Sequence, residues 1–250
     1  MLNILRERFR QGYRTGDFPR TEPVLPERFR GRPLLSAEKC PPGCSGCEER
    51  CPFGAVARRD EKILLDLGRC LFCADCPACP HGALTFSNDY RLAVRRRQDL
   101  VFSGKEQLLA DALHKKMLSM FKHSLKLRQV SAAGCNACEA DVNVLGTLVF
   151  DLGRFGIQFV ASPRHADGIL VTGPVSHNMH SALLATYEAV PGPKLVIASG
   201  ACAINGGPFR NSPEVYNGLE GLLPVDLYIP GCPPHPYTIL DGLLRLLDKR

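Results

Sequence analysis

The sequence predicts a two-part chain: an α/β domain with a parallel sheet in its C-terminal half, preceded by a small cysteine-rich unit with little core of its own. Three observations carry this. From about residue 128, apolar runs of strand length alternate with helical patterns. Between residues 39 and 88, eight of the twelve cysteines crowd together among Pro and Gly. Nowhere does an apolar run approach the roughly 18 residues a membrane-crossing helix needs.

Residues 1–38 are an arm rich in Arg and Pro. Eight arginines fall there (Arg6, Arg8, Arg10, Arg14, Arg20, Arg28, Arg30 and Arg32) against a modest formal charge of +6 for the whole chain. Ile4, Leu5 and Phe9 can share one helical face opposite Arg6 and Arg10. Such an arm suits an acidic partner or an anionic lipid surface, and a solvated basic tail is the plain alternative. Residues 39–88 are too short and loop-rich for much of a hydrophobic core, so metal is expected to hold them together. Residues 89–127 carry the basic run Arg95-Arg96-Arg97 and then Leu109, Leu113, Met117 and Phe121 at helical spacing, which predicts one connecting helix.

Residues 128–250 form the second domain. Val130–Ala133 reads as a strand, followed by Gly134 and a helix through Val144, Leu148 and Leu152. Further strands are expected at 157–161, 168–172, 195–198 and 225–229, with helices at 182–190 and 239–247. Strands alternating with helices imply a parallel sheet covered on its faces. In such sheets, ligands sit at the carboxyl ends of strands.

No apolar core like that of a secretory signal follows Met1, so a reducing compartment is expected, where thiols stay free. Closely spaced thiols then point to metal. The first run is Cys40-x3-Cys44-x2-Cys47-x3-Cys51-Pro52, the second Cys70-x2-Cys73-x2-Cys76-x2-Cys79-Pro80. Two-residue gaps let successive side chains point into one concavity. A zinc ribbon is the competing reading, but it uses four cysteines and leaves four unexplained. The tails Cys51-Pro52-Phe53-Gly54-Ala55-Val56 and Cys79-Pro80-His81-Gly82-Ala83-Leu84 read as a duplication.

This region resembles the two-[4Fe–4S] ferredoxin domains, an α+β fold. The resemblance implies that the fourth Cys of each run serves the other cluster. One cluster would take Cys40, Cys44, Cys47 and Cys79, the other Cys70, Cys73, Cys76 and Cys51. The first gap has three residues instead of two and the last has two instead of three. Both irregular positions, Cys40 and Cys79, fall on one cluster, and Gly43 is placed to absorb the extra residue. The lead-in Phe29-Arg30-Gly31-Arg32-Pro33-Leu34 is similar to that of ferredoxin-like subunits of complex I and membrane-bound hydrogenases.

The remaining cysteines are spread out: Cys135 and Cys138, then Cys202 and Cys232, each group just after an apolar strand. The strand ends can meet on one edge and cage one cluster. Gly134, Gly200 and Gly231 beside them allow close backbone approach. Here the chain resembles the flavodoxin-like small-subunit fold shared by [NiFe] hydrogenases and the terminal-cluster subunit of complex I. The matching stretches include Gly134-Cys135-Asn136-Ala137-Cys138-Glu139, Ser162-Pro163-Arg164-His165-Ala166-Asp167, Gly200-Ala201-Cys202 and Pro230-Gly231-Cys232-Pro233-Pro234. Complex I subunits have adjacent cysteines at the first pair. Cys135-x2-Cys138 is similar instead to group 4 membrane-bound hydrogenases of the formate hydrogenlyase type.

The resemblance implies an oxidoreductase subunit carrying three [4Fe–4S] clusters, with no catalytic residue of its own. It would wire a soluble electron donor or acceptor to a hydrogenase-like large subunit that holds a [NiFe] centre or a quinone site. It also implies membrane-arm partners and a peripheral place on the cytoplasmic side of the membrane, and gives no reason to expect nucleic acid. A complex I-like quinone oxidoreductase subunit and a zinc-stapled structural subunit are the alternatives. Arg164 and His165 are candidates for tuning the terminal cluster or meeting the partner, with a surface loop as the plain reading. Glu139 and Asp141 are candidates for proton relay or Arg pairing, with exposed helix positions as the rival. His177, His180 and His235 lack metal-ligand spacing and read as packing residues. No phosphate loop or dinucleotide fingerprint is present, and Gly206-Gly207-Pro208 reads as shaping the loop beside Cys202.

Overall fold

A computed structural model describes residues 2–41, 43–59, 62–73, 81–104 and 108–250. The chain opens with helix α1 (Leu2–Gln11), which buries none of its residues; Leu2, Ile4, Leu5 and Phe9 are all exposed. From Gly16 on, the arm lies against the chain's own second half. The Gly16 N–H donates to the Val149 carbonyl at 2.9 Å, and the Phe18 ring packs against Tyr90 and Tyr237. The Arg154 guanidinium donates to the Phe18 carbonyl at 2.8 Å. This corrects the expectation of an arm lying on other subunits or a membrane surface: much of it lies on the chain's own second half, while α1 buries none of its residues.

The cysteine-rich unit is built from two antiparallel pairs. Strand β1 (Pro33–Leu35) leads to the short helix α2 (Gly46–Arg50), then β2 (Val56–Arg59), β3 (Lys62–Asp66) and β4 (Leu84–Phe86). β1 pairs with β4 (Leu34 opposite Thr85), and β2 pairs with β3 (Ala57 opposite Leu64). The first strand thus closes on the last around the central hairpin. Strand β5 (Val101–Phe102) then returns from the connecting segment to pair with β3.

The connecting segment is less helical than its periodicity predicts. Helix α3 covers only Lys115–Phe121. Upstream, the backbone is committed elsewhere: the Ala110 N–H donates to Ala93 at 2.7 Å, and the Leu113 N–H donates to Leu246 at 3.0 Å. Val94 exchanges two hydrogen bonds with Tyr228 at 3.0 and 2.8 Å. That bridge covers a sheet edge which would otherwise offer unpaired backbone groups.

The second half is the expected parallel sheet. Its elements run β6 (Leu125–Ser131), α4 (Ala137–Val144), β7 (Ile157–Phe159), β8 (Gly168–Thr172), α5 (His177–Ala189), β9 (Leu195–Ser199), α6 (Ala201–Asn205), β10 (Leu227–Ile229) and α7 (Pro236–Leu246). The order across the sheet is β10-β9-β8-β6-β7, every pair parallel. Counted in chain order this is the 2-1-3-4-5 arrangement of flavodoxin-like folds. Helix α4 stops at Val144, short of the expected Leu152; Leu152 begins a separate 3-10 turn and donates its N–H back to Leu145.

β8 and β9 are buried at all five positions each, as continuous apolar runs covered on both faces should be. The period of two divides their side chains between two cores. Ile169, Val171, Val196 and Ala198 face one side, with Leu183 of α5. Leu170, Leu195 and Ile197 face the other, with Val142 of α4 and Ile239, Leu240, Leu243 and Leu244 of α7. The first core does not end at the sheet domain: it takes in Leu65, Leu67, Cys70 and Leu84 of the cysteine-rich unit together with Ile204 and Leu219. The unit expected to lack a core of its own borrows one from the sheet.

Candidate metal centre

Cys135 and Cys138 follow β6, Cys202 follows β9 and Cys232 follows β10, so four thiols are presented along one sheet edge. β7 lies on one side of β6 and all later strands on the other, which makes the β6/β8 boundary the switch point where crevices form. β8 lies between the thiol-bearing strands, and its end is reduced to glycine. A Cβ on Gly173 would lie 2.5 Å from the Gly134 nitrogen, so only glycine lets the Cys135 loop pass. The loops are also pinned to each other. Ala132 donates to Thr172 at 2.8 Å, Gly200 to Ile229 at 2.8 Å and Ala201 to Gly231 at 2.8 Å.

Two further glycines make room for sulfur. A Cβ on Gly200 (φ +91°) would sit 2.6 Å from Cys138 Sγ, and one on Gly207 (φ +53°) 2.8 Å from Cys202 Sγ. Cys138 and Cys202 are buried, while Cys135 and Cys232 are exposed. Burial raises the Cys138 thiol far above its ordinary value, and the charges of Cys202, Glu139, Cys232 and Cys135 raise it further. Burial, then Cys232 and Cys135, push Cys202 up to about 12. Cys232 is raised by burial and then by Cys135. Cys138, Cys202 and Cys232 are thus each raised first by burial and then by neighbouring thiols, and a cationic centre among them would relieve both. Among the described residues, no three His, Cys, Asp or Glu side chains converge on a single-ion site. Four thiols at three strand ends are donor chemistry that fits an iron–sulfur cluster.

Glu139, in the first turn of α4, is not the exposed helix residue of the rival expectation. It is 5 % exposed, and its Oε1 accepts from Ser131 Oγ and Thr172 Oγ1, both at 2.6 Å. Burial alone would raise its carboxyl, but the two hydroxyl bonds win and hold it below the usual range. Its Oε2 is buried without a partner. Asp141 is half-buried and raised by desolvation. Arg164 and His165 are exposed, in a turn between β7 and β8 at the level of Leu127. Four residues of β6, about 13 Å, separate that level from Ser131. Neither side chain makes a hydrogen bond or ion pair among the described residues. His177 and His180 pack on Tyr216, and His235 stacks on Tyr237 while accepting its N–H at the start of α7. The hydroxyls that clamp Glu139 were missed in sequence because Ser131 and Thr172 lie 41 residues apart on neighbouring strands.

In the cysteine-rich unit, Cys40, Cys44 and Cys47 line one concavity together with Val56, Ala57 and Ile63. Gly43 has φ +75°, a conformation that favours glycine. Cys51 Sγ accepts from the Ala55 N–H at 3.3 Å and Cys70 Sγ from the Phe72 N–H at 3.4 Å. Amides aimed at sulfur are the usual surroundings of cluster thiolates. Cys73 is half-buried; Cys76 and Cys79 lie outside the described residues. Among the described residues no helix is long and apolar enough to cross a membrane.

Residues 135–246 match the family described as the NADH ubiquinone oxidoreductase 20 kDa subunit. The chain is similar to the probable membrane-bound hydrogenase subunit mbhJ of Pyrococcus furiosus, with 43% identity over 120 residues, 48% of this chain and 72% of that one. Formate hydrogenlyase subunit 7 of Escherichia coli is 42% identical over 137 residues, 54% of each chain, so this chain spans about half of that relative. An NADH-quinone oxidoreductase subunit of Citrifermentans bemidjiense is 47% identical over 116 residues, covering 46% of this chain and 68% of the relative.

Proposed function

Since the chain belongs to the family of the 20 kDa subunit of NADH ubiquinone oxidoreductase, we propose that it is an electron-transferring subunit of a membrane-bound hydrogenase complex of group 4 type. Three [4Fe–4S] clusters are assigned to it, held by Cys40, Cys44, Cys47 and Cys79, by Cys51, Cys70, Cys73 and Cys76, and by Cys135, Cys138, Cys202 and Cys232. The observation that carries the reading is the meeting of four thiols on one sheet edge, opened by Cys135-x2-Cys138 and cleared by Gly200 and Gly207. The two antiparallel pairs of the N-terminal unit, with three thiols around one concavity, support the ferredoxin-like part.

When bound, such clusters supply one-electron transfer without bond chemistry. The chain's own residues set the conditions. The glycines admit the sulfurs, and the Ala55 and Phe72 amides donate to Cys51 and Cys70. Glu139, clamped by Ser131 and Thr172, places a fixed negative charge beside Cys138. The catalytic centre is assigned to a large subunit facing the exposed Cys135 and Cys232. The unpartnered α1, with its exposed apolar side chains and arginines, is assigned to the membrane-arm side of the complex. Arg164 and His165 remain exposed positions available to a partner.

A second reading has support of its own: relatives named as quinone oxidoreductase subunits are as similar as the hydrogenase ones. In that reading the same relay serves a quinone site without nickel. Two measurements decide. Iron and acid-labile sulfide near twelve each per chain support the relay, and stoichiometric zinc without sulfide refutes it. Hydrogen-linked redox activity of the assembled complex supports the hydrogenase reading. A partner large subunit without paired Cys-x2-Cys nickel ligands sinks it.

A further inference from the structure

A polar cleft opens where the cysteine-rich unit meets the sheet domain. It consists of two adjoining cavities of about 260 and 270 Å³ that share Arg69, Asn205 and Arg210. The first also reaches Arg97 and Glu220; the second is walled by Phe53, Gly54 and Gly207.

The unpaired polar atoms here are donors. Asn205 is only 5 % exposed, and its Oδ1 accepts the Gly207 N–H at 3.1 Å. That bond fixes the amide so that Nδ2 is the free end, and Nδ2 is buried without a partner. Arg97 Nε is likewise buried without an acceptor, whereas Arg69 Nε faces Asp66 Oδ2. Arg97 already grips Asp66 through both terminal nitrogens, at 2.9 and 2.7 Å, and Arg69 lies 3.4 Å from the same carboxylate. The exposed Arg210 guanidinium has no polar partner among the described residues. Asp66 and Glu220 offset two of the three guanidinium charges, so a positive surplus and several orphaned N–H groups remain. A buried donor left unmade is costly, and the group that satisfies several at once beside arginines is an oxyanion.

We propose that this cleft, formed by Arg69, Arg97, Arg210 and the Asn205 amide, binds a small oxyanion of the phosphate class. The site stands on the cleft alone and does not depend on what the thiols hold. Its position gives it reach: Gly207, where a Cβ would lie 2.8 Å from Cys202 Sγ, forms one wall, and Arg69, the neighbour of Cys70 in the chain, forms the other. A bound anion adds negative charge next to both thiol groups.

The test titrates inorganic phosphate into the full chain by calorimetry at constant ionic strength. One saturable site per chain is expected. Arg210→Ala and the isosteric Asn205→Asp should each weaken binding about tenfold or more, one losing a charged donor and the other placing a carboxylate against the anion. Arg96→Ala, an exposed arginine outside the cleft, should leave binding unchanged. Thermal melting checks each variant's fold; if Asn205→Asp does not fold, the exposed Arg210→Ala decides. Absence of saturable binding, binding indifferent to Arg210→Ala, or an equal loss in Arg96→Ala overturns the proposal.

Discussion

Cys40, Cys44 and Cys47 come from eight consecutive residues and surround one concavity, whereas Cys135, Cys138, Cys202 and Cys232 are drawn from across a whole domain. The first group needs only a local turn, in which Gly43 has a positive φ. The second group needs correct strand order, correct register and three glycine clearances at once. Local constellations tolerate an inserted residue. Distributed ones are fixed by the fold, so small changes in backbone clearance should matter most there.

The largest expected effect tests that contrast. Gly200→Ala forces a Cβ to within 2.6 Å of Cys138 Sγ at a positive φ. If three clusters are bound as proposed, it should remove about a third of the iron and sulfide per chain, while Gly46→Ala, whose Cβ would meet only Cys44 Sγ at an ordinary 3.9 Å, removes little. Equal losses from the two would erase the distinction between local and distributed sites.

Next in size is the shared core. Leu65 is 1 % exposed in a cluster that also contains Ile204 and Leu219. Leu65→Ala should cost about 2–5 kcal/mol and lower one common melting transition. Two separate transitions, with only the N-terminal one moved, would show that the halves are modules after all. Thr172→Val is expected to cost less, about 1–3 kcal/mol, because it strips a hydroxyl from the buried Glu139. Its effect should appear in the sheet domain's hydrogen exchange and leave the Cys40 loop unchanged.

The smallest effect concerns acid stability. Burial would raise the Asp89 carboxyl, but Arg91 and Arg32 outweigh it and hold the carboxyl below its ordinary value. A carboxylate lowered in the folded state stabilises above its unfolded pKa, and this contribution is lost as pH falls through the folded one. Asp89→Asn should therefore cost about 1 kcal/mol near neutral pH and flatten the acid limb below about pH 4. A variant that keeps the wild-type acid limb would remove Asp89 from the account.

The sheet was legible in sequence where burial is two-sided: Gly168–Thr172 matches its predicted bounds, and Leu195–Ser199 extends its prediction by one residue. The stripe Leu109, Leu113, Met117 and Phe121 misled, because its first half bonds to Ala93 and Leu246 in place of its own next turn. Cys135, Cys138, Cys202 and Cys232 were expected just after strands, and the structure places them there. Their chemical surroundings were only partly legible. Gly207 could be placed beside Cys202 from its spacing, but the Glu139 clamp and the Asn205 cleft join residues far apart in the chain. Such pairings exist only once strand order is fixed.

The joined core also sets an order of events during synthesis. Leu65, Leu67 and Cys70 leave the ribosome well over a hundred residues before Ile204 and Leu219, the side chains they rest on. Domains generally fold as units, N-terminal first, as they emerge. Here the first unit must wait with its apolar face uncovered and its thiols open to stray metal or oxidant. Any truncation or stall between residues 103 and 195 should therefore leave a soft, sticky intermediate, and if the N-terminal cysteines hold clusters as proposed, their delivery should succeed best after the last strand is in place.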